Sequence, residues 1–495
     1  LATGVARLVC LYLAVACYLF VCHVRCRCCD VFSRAVADGA SHPPPAFTVV
    51  TNSHRAMNTQ CLIRILWWGF LAVFLSITAY YVAVHHVAPL SRDQWHMYDA
   101  LFQQGLWQTS ITTVSGHRHI LAFLLYAIDL DIFGGKNNFL IIVDWLLNIS
   151  LMTVLCWQIK KCVTDVQSRH FLMGWVVLLL CWLINIALLG WGFNGINNYM
   201  SILNTVLSIV FLRRSLFISV LLGGLATFSF GNGILVWPIG LLVLYVCRAP
   251  RFYFCVFAAA AVLFFALYLA LPGGDAVGNA LHFNNWKTLT FPVTLMGGPA
   301  YHLLRAWHVF PENVLVFLGA SIGLSVCLLT LWVLWQCWRR REKNDTLNIV
   351  AITLILIGFG TVALLLLTRV DGVLDPTVDR FQIWALLVWL GSSVLLYRRL
   401  EITSIETTRR KYWQIFFLLF PVLAMPSQLD WGARLAEYRV RVDNALLAYQ
   451  VYLPVAADAE KALHWNWQGK LPYLFSVLEN LRVTQRNVFA DGAAT

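Results

Sequence analysis

The stretch RDQWHMYD, Arg92–Asp99, places two carboxylates, an arginine and a histidine close together in a chain that otherwise avoids charge. Read as a helix, it spaces Asp93, His96 and Asp99 three residues apart on one side. A carboxylate held at a membrane interface can accept a proton from a sugar hydroxyl or coordinate a divalent cation such as Mg or Mn. Downstream, SGHRH supplies His117, Arg118 and His119, which suit a phosphate, and AIDLDIF adds Asp129 and Asp131. As plain loop residues they would face water, with Ser91 or Asp93 capping a helix. Three more polar groups interrupt apolar sequence. WGFNGINNY, Trp191–Tyr199, carries Asn194, Asn197 and Asn198 and reads as a short turn or as a sugar-binding edge. FSFGNGILVWP, Phe228–Pro238, sets Asn232 between two helix-breaking glycines. TRVDGVLDPTVDRF gathers Arg369, Asp371, Asp375, Asp379 and Arg380, as snorkelling anchors and ion pairs or as a clamp on a lipid-linked phosphate.

These residues must be positioned by a membrane-spanning scaffold. The chain has 495 residues, 60% hydrophobic and 12% charged, with mean hydropathy +0.70; soluble domains carry about 25% charged residues. Apolar runs of about 20 residues recur, each long enough to cross a bilayer as a helix. No period-two alternation supports a β-barrel. The expected fold class is an all-α polytopic membrane protein with about eleven transmembrane helices after Met57. The spans read as Leu62–Val84, Asn138–Ile159, Phe171–Gly190, Met200–Leu212, Leu216–Phe230, Ile234–Cys247, Phe252–Leu271, Val314–Trp338, Leu347–Thr368, Phe381–Tyr397 and Trp413–Met425. Splitting Leu216–Cys247 at Gly-Asn-Gly puts every basic cluster on the cytoplasmic side: Lys160-Lys161, Arg213-Arg214, Arg248 with Arg251, 339–343, Arg398-Arg399 and 409–411. The net charge of +12 could suggest nucleic acid, but it sits in short clusters between spans and reads as topology, with no nucleic-acid partner expected. The outside receives His85–Asn137, including an interfacial helix in HILAFLLYAIDLDIFGG, then Pro272–Asn313, Arg369–Arg380 and a tail of short amphipathic helices from Pro426 to Thr495.

The division expected is a foreign-looking extension over 1–56, a transmembrane domain over 57–425 and an extracytoplasmic helical tail over 426–495. The extension holds six of the fourteen cysteines and no methionine, so Met57 is the expected first residue, with a signal peptide or extra helix as the other reading. Cys26, Cys28 and Cys29 match no usual zinc spacing. The remaining cysteines fall outside the outward loops and read as small apolar packers. Phosphate-binding, dinucleotide, zinc-protease and hydrolase motifs are absent. Acids within spans are few, Asp144 in VDWLLN being the clearest; an ion-coupled transporter usually has more, with a doubled architecture.

This layout resembles the GT-C class of integral-membrane glycosyltransferases: many spans, a long first outward loop with acids just after the first span, an interfacial helix and an outward tail. More narrowly, GHRHILAFLLYAIDLDIFGGKN, FSFGNGILVWPIGLL and TRVDG…DRFQIW resemble a group of bacterial proteins described as membrane or glycosyltransferase-like. The resemblance implies transfer of a sugar from a polyprenyl-phosphate donor at the outer face of the inner membrane, to an envelope or exopolysaccharide acceptor, with Asp93 and Asp99 matching the essential loop carboxylates. The tight acidic pair of many such enzymes is absent, which leaves a single carboxylate as general base and the metal undefined. Arg118, His117 and Arg369 or Arg380 would stabilise the leaving phosphate, and His96, His119, Asn194, Asn198 and Asn232 complete the expected substrate-binding set. A polysaccharide polymerase or ligase, led by outward arginines, is one alternative; a transporter or assembly partner is another.

Overall fold

The computed structural model describes residues 47–88, 90, 94–112, 118–272, 286–340, 345–369, 377–402, 407–450, 471–484 and 486–487. Residues 1–46 of the 1–56 extension, Asp93 and His117 therefore lie outside the described residues. In chain order the helices are α1 (Phe47–His85), α2 (Gln94–Ile111), α3 (Ile120–Ile132), α4 (Asn138–Cys162), α5 (Val166–Leu180), α6 (Ile186–Leu189), α7 (Phe193–Phe211), α8 (Leu216–Thr227), α9 (Val236–Val246), α10 (Arg251–Ala270), α11 (Trp286–Met296), α12 (Gly298–Arg305), α13 (Glu312–Arg340), α14 (Thr346–Arg369), α15 (Gln382–Ile402), α16 (Thr407–Gln450) and α17 (Leu471–Val483). Among the described residues there is no strand, and eight helical segments are long and apolar enough to cross a membrane.

Burial separates the centre of the bundle from its rim. Nearly all of the apolar window within Val166–Leu189 is buried, whereas almost none of that within Arg251–Ala270 is. Helix α10 presents Phe252, Val262 and Leu263 outward, and α13 presents Phe317, Leu328 and Leu331. Such continuous apolar exposure suits lipid and not water. Inside lipid, helices associate through close packing. A Cβ on Gly297, between α11 and α12, would overlap the Gly319 carbonyl of α13, and one on Gly323 would overlap the Val293 carbonyl. These glycines let the backbones touch.

Helix ends follow local chemistry. Asp165 caps α5, its Oδ2 accepting from Ser168 N at 2.7 Å. Lys160 and Lys161 sit in the last turn of α4, where the helix dipole favours them. The Gly-Asn-Gly motif does interrupt its helix, as a 3-10 turn, Gly231–Leu235, between α8 and α9.

Three expectations differ from the structure. The span read as Phe171–Gly190 is discontinuous: α5 ends at Leu180, and the 3-10 turn Leu183–Asn185 leads into the short α6. Backbone groups freed by the break are taken up by polar side chains of other helices. Gln428 Oε1 accepts from Leu183 N at 2.9 Å, and Thr78 Oγ1 donates to Cys181 O at 2.9 Å. Second, the asparagines of WGFNGINNY are not in a turn. Gly192, with φ 68°, makes the turn, and α7 starts at Phe193. Third, the 425/426 boundary falls inside α16, which runs 44 residues through Pro421 and Pro426. At 1.5 Å per residue this helix is about 66 Å long, roughly twice the hydrocarbon thickness. Its second half carries an (i, i+4) ladder: Asp430–Arg434 at 2.9 Å, Arg439–Asp443 at 2.6 Å, and Glu437–Arg441.

Candidate functional site

The polar residues of the first long loop form a layer built from α2 and α3 beyond the end of α1. Helix α3 buries Phe123, Tyr126, Ala127, Asp129 and Leu130 while Leu124 and Ile132 stay exposed, so one face packs on protein. Asp99, on α2, is half-buried, and Gln103 Nε2 donates to its Oδ1 at 2.8 Å. Burial raises its carboxyl above the usual carboxylate range, against the pull of the Gln103 amide. His96, one turn earlier, is also half-buried.

Arg118 and His119 connect the layer to the bundle. Arg118 is 2% exposed. Its Nη1 donates to Ile111 O at 2.9 Å and to Pro272 O at 3.0 Å, and its Nη2 donates to Leu271 O at 2.5 Å. The guanidinium also lies 5.2 Å from the Tyr268 ring centre. Arg118 therefore satisfies carbonyls left over at the ends of α2 and α10. Burial makes it a weaker base than an exposed arginine. His119 Nδ1 pairs with Asn197 Oδ1 at 3.1 Å; Asn197 Nδ2 donates to Tyr126 Oη at 2.9 Å, and Tyr126 Oη donates to Phe193 O at 3.0 Å. The His119 ring centre stands 5.6 Å from that of Phe230, beside Gly-Asn-Gly. The loop, the asparagine motif and the glycine motif, distant in sequence, thus meet at His119.

The other expected residues take separate positions. Asn198 Nδ2 donates to Asn194 O at 2.6 Å within the first turns of α7. Asn232 Oδ1 accepts from Ser201 Oγ at 2.9 Å, and its Nδ2 donates to Thr361 Oγ1 at 3.3 Å, joining α7 to α14. Arg380 lies in the 3-10 turn Asp379–Phe381 ahead of α15, 5.0 Å from the Phe381 ring centre. Just before it, Thr377 O pairs with His302 Nε2 at 2.9 Å. Burial lowers His302 to about 3, so its ring is neutral. Arg369 is the last residue of α14, and its side chain lies outside the description.

One buried network carried little signal in the sequence. Asp129 is fully buried, and its Oδ2 accepts from Asn137 N at 3.3 Å. Asn137, at φ 56° ahead of α4, exchanges amide hydrogen bonds with Gln94 at 2.5 and 3.2 Å and donates to Val87 O at 3.3 Å. Tyr98 faces the same carboxyl, yet neither Tyr98 Oη nor Asp129 Oδ1 completes a hydrogen bond of ordinary geometry. Burial pushes Asp129 up to about 7. The C-terminal segment docks on the same turn: Asn487 N donates to Gly134 O at 2.5 Å, and Arg486 pairs with Asp131 at 3.0 Å. Only the Asn following Gly-Gly-Lys hinted at this, since asparagine tolerates the left-handed conformation better than most residues.

Among the described residues no three His, Cys, Asp or Glu side chains are grouped to hold a metal ion. Fold and polar layer together define the class, an all-α polytopic membrane protein with a polar layer capping one end of its bundle. No protein-family model, curated protein or solved structure matches the chain.

Proposed function

We propose that the protein is a GT-C-type glycosyltransferase of the bacterial inner membrane. It takes a sugar from a polyprenyl-phosphate donor at the outer face and passes it to an envelope or exopolysaccharide acceptor. The observation that carries this reading is Asp99: a half-buried carboxyl with a raised pKa, set just past the end of the first spanning helix. A base there can reach a sugar hydroxyl while the donor's lipid tail stays in the bilayer. The reading takes eleven crossings, the eight long apolar segments together with α7, α8 and α9, which leaves every basic cluster on the cytoplasmic side and α2 and α3 outside.

In this scheme Asp99 takes the proton of the acceptor hydroxyl, whose oxygen bonds to the anomeric carbon as the bond from that carbon to the polyprenyl phosphate breaks. This reading assigns the leaving phosphate to His96 and Arg380. Arg118, whose Nη groups are committed to carbonyls, acts as a positioning residue. Lipid mass spectrometry on the purified protein, paired with a transfer assay, tests the reading. Asp99→Asn is expected to copurify the same lipid-linked sugar as wild type while turnover drops about 10²–10⁴-fold. Full turnover in Asp99→Asn with loss in Arg380→Ala would sink the reading and favour a polymerase or ligase. Failure of any lipid-linked sugar to copurify under mild conditions would favour a transporter or assembly partner.

A further inference from the structure

Asp144 is used by none of the chemistry above. It lies on α4, six residues past its first residue and so about 9 Å along the axis. It is 1% exposed, and neither carboxylate oxygen has a hydrogen-bond partner. Its carboxyl fills the notch left by Gly195 of α7, where any Cβ would overlap it. The hydroxyls of Tyr126 on α3 and Tyr199 on α7 lie within its electrostatic reach, and Tyr199 in turn interacts with Cys181.

Other unsatisfied oxygens lie one helical turn away on the same two helices, from Asp144 on α4 and from Gly195 on α7. Asn148, one turn further along α4, donates to Leu180 O at 3.2 Å, which leaves its own Oδ1 unpartnered. Tyr199 Oη is fully buried and also unpartnered. Leu180 O, which Asn148 reaches, and Cys181 O, which accepts from Thr78, belong to the break between α5 and α6. A lone carboxylate beside neutral oxygen donors and an interrupted spanning helix is a recurrent way of holding a small cation inside a bilayer. An uncompensated carboxylate there would otherwise be costly.

We propose that Asp144 holds one monovalent cation, a proton or sodium, between α4 and α7. One positive charge matches the single acid. Such a site is independent of the sugar-transfer reading and would serve a transferase or a transporter alike.

The full chain, purified in detergent, is unfolded thermally at fixed pH and constant ionic strength while NaCl replaces choline chloride. Infrared spectra are recorded in parallel for a protonated carboxylic-acid band. If sodium is the cation, the melting temperature of the wild type rises saturably with NaCl and that of Asp144→Asn does not. If it is a proton, sodium has no effect, and the wild type shows an acid band that Asp144→Asn lacks. Should Asp144→Asn not fold, Tyr199→Phe serves in its place, weakening the sodium response or shifting the band. A wild type that responds alike to NaCl and choline chloride, and shows no band altered by either substitution, overturns the proposal.

Discussion

Replacing Asp129 with asparagine removes an acid that burial has pushed up to about 7, from an ordinary value of 3.8. The folded protein keeps this proton to higher pH than the unfolded chain does. Folding stability therefore falls as pH rises through the window between those values and levels off above it. At about 1.36 kcal/mol per pH unit, a shift of roughly three units amounts to about 4 kcal/mol, an upper bound. The amide introduced by Asp129→Asn keeps an acceptor for Asn137 N and cannot titrate, so the variant's profile lacks this decline. Above neutral pH the variant is then expected to be the more stable protein. Thermal unfolding in detergent, followed by tryptophan fluorescence at about pH 5 and about pH 8, gives the comparison. Hydrogen exchange at 134–137 localises the effect, because Asn137 ties that turn to α2 and to Val87 just past α1. Parallel pH profiles for wild type and variant would refute the assignment of the raised acid to Asp129.

Gly195→Ala is expected to prevent folding, because its Cβ would overlap the Asp144 carboxyl. Asp144→Ala in the same chain should restore a measurable part of the folded yield, read by size-exclusion chromatography. Arg118→Lys loses the planar fork that reaches three carbonyls, and about 1–3 kcal/mol of stability should go with it in the same unfolding assay. Gln428→Ala leaves Leu183 N without its acceptor and Thr78 without its amide partner. It should cost about 1–3 kcal/mol, with faster hydrogen exchange confined to the α5–α6 break. For Asp99, turnover is expected to rise with pH through a carboxyl pKa above the usual range; a rate flat with pH in that region would count against it as the base.

Much of the scaffold was legible in the sequence because lipid imposes a local rule. A segment that crosses must be apolar for about 20 residues and satisfy its own backbone, so composition along the chain betrays it. The break at Gly231–Leu235 was legible for the same reason, since two glycines around an asparagine in apolar sequence have few other uses. The break after Leu180 was not. WVVLLLCWLINIALLG carries no glycine or proline where the helix stops, and the acceptors and donors that make the stop tolerable come from Thr78 and Gln428, far away in the chain. The long α16 was not legible for the opposite reason: apolar sequence gives way to charged sequence after Met425, yet the helix continues through Pro426 while it packs against α1.

The candidate site divides along the same line. Residue type and spacing alone marked Asp99, His119, Asn197 and Asn232 as polar groups out of place in an apolar chain. Only the tertiary structure decided that His119 and Asn197 face each other, that Arg118 spends its donors on backbone carbonyls, and that Asp129 and Asp144 lie within the protein. Periodicity fixes which face of one helix is apolar. Hydrogen-bond partners and carboxyl pKa values depend on which other helices cover that face, and such contacts join residues too far apart in sequence to leave a local pattern.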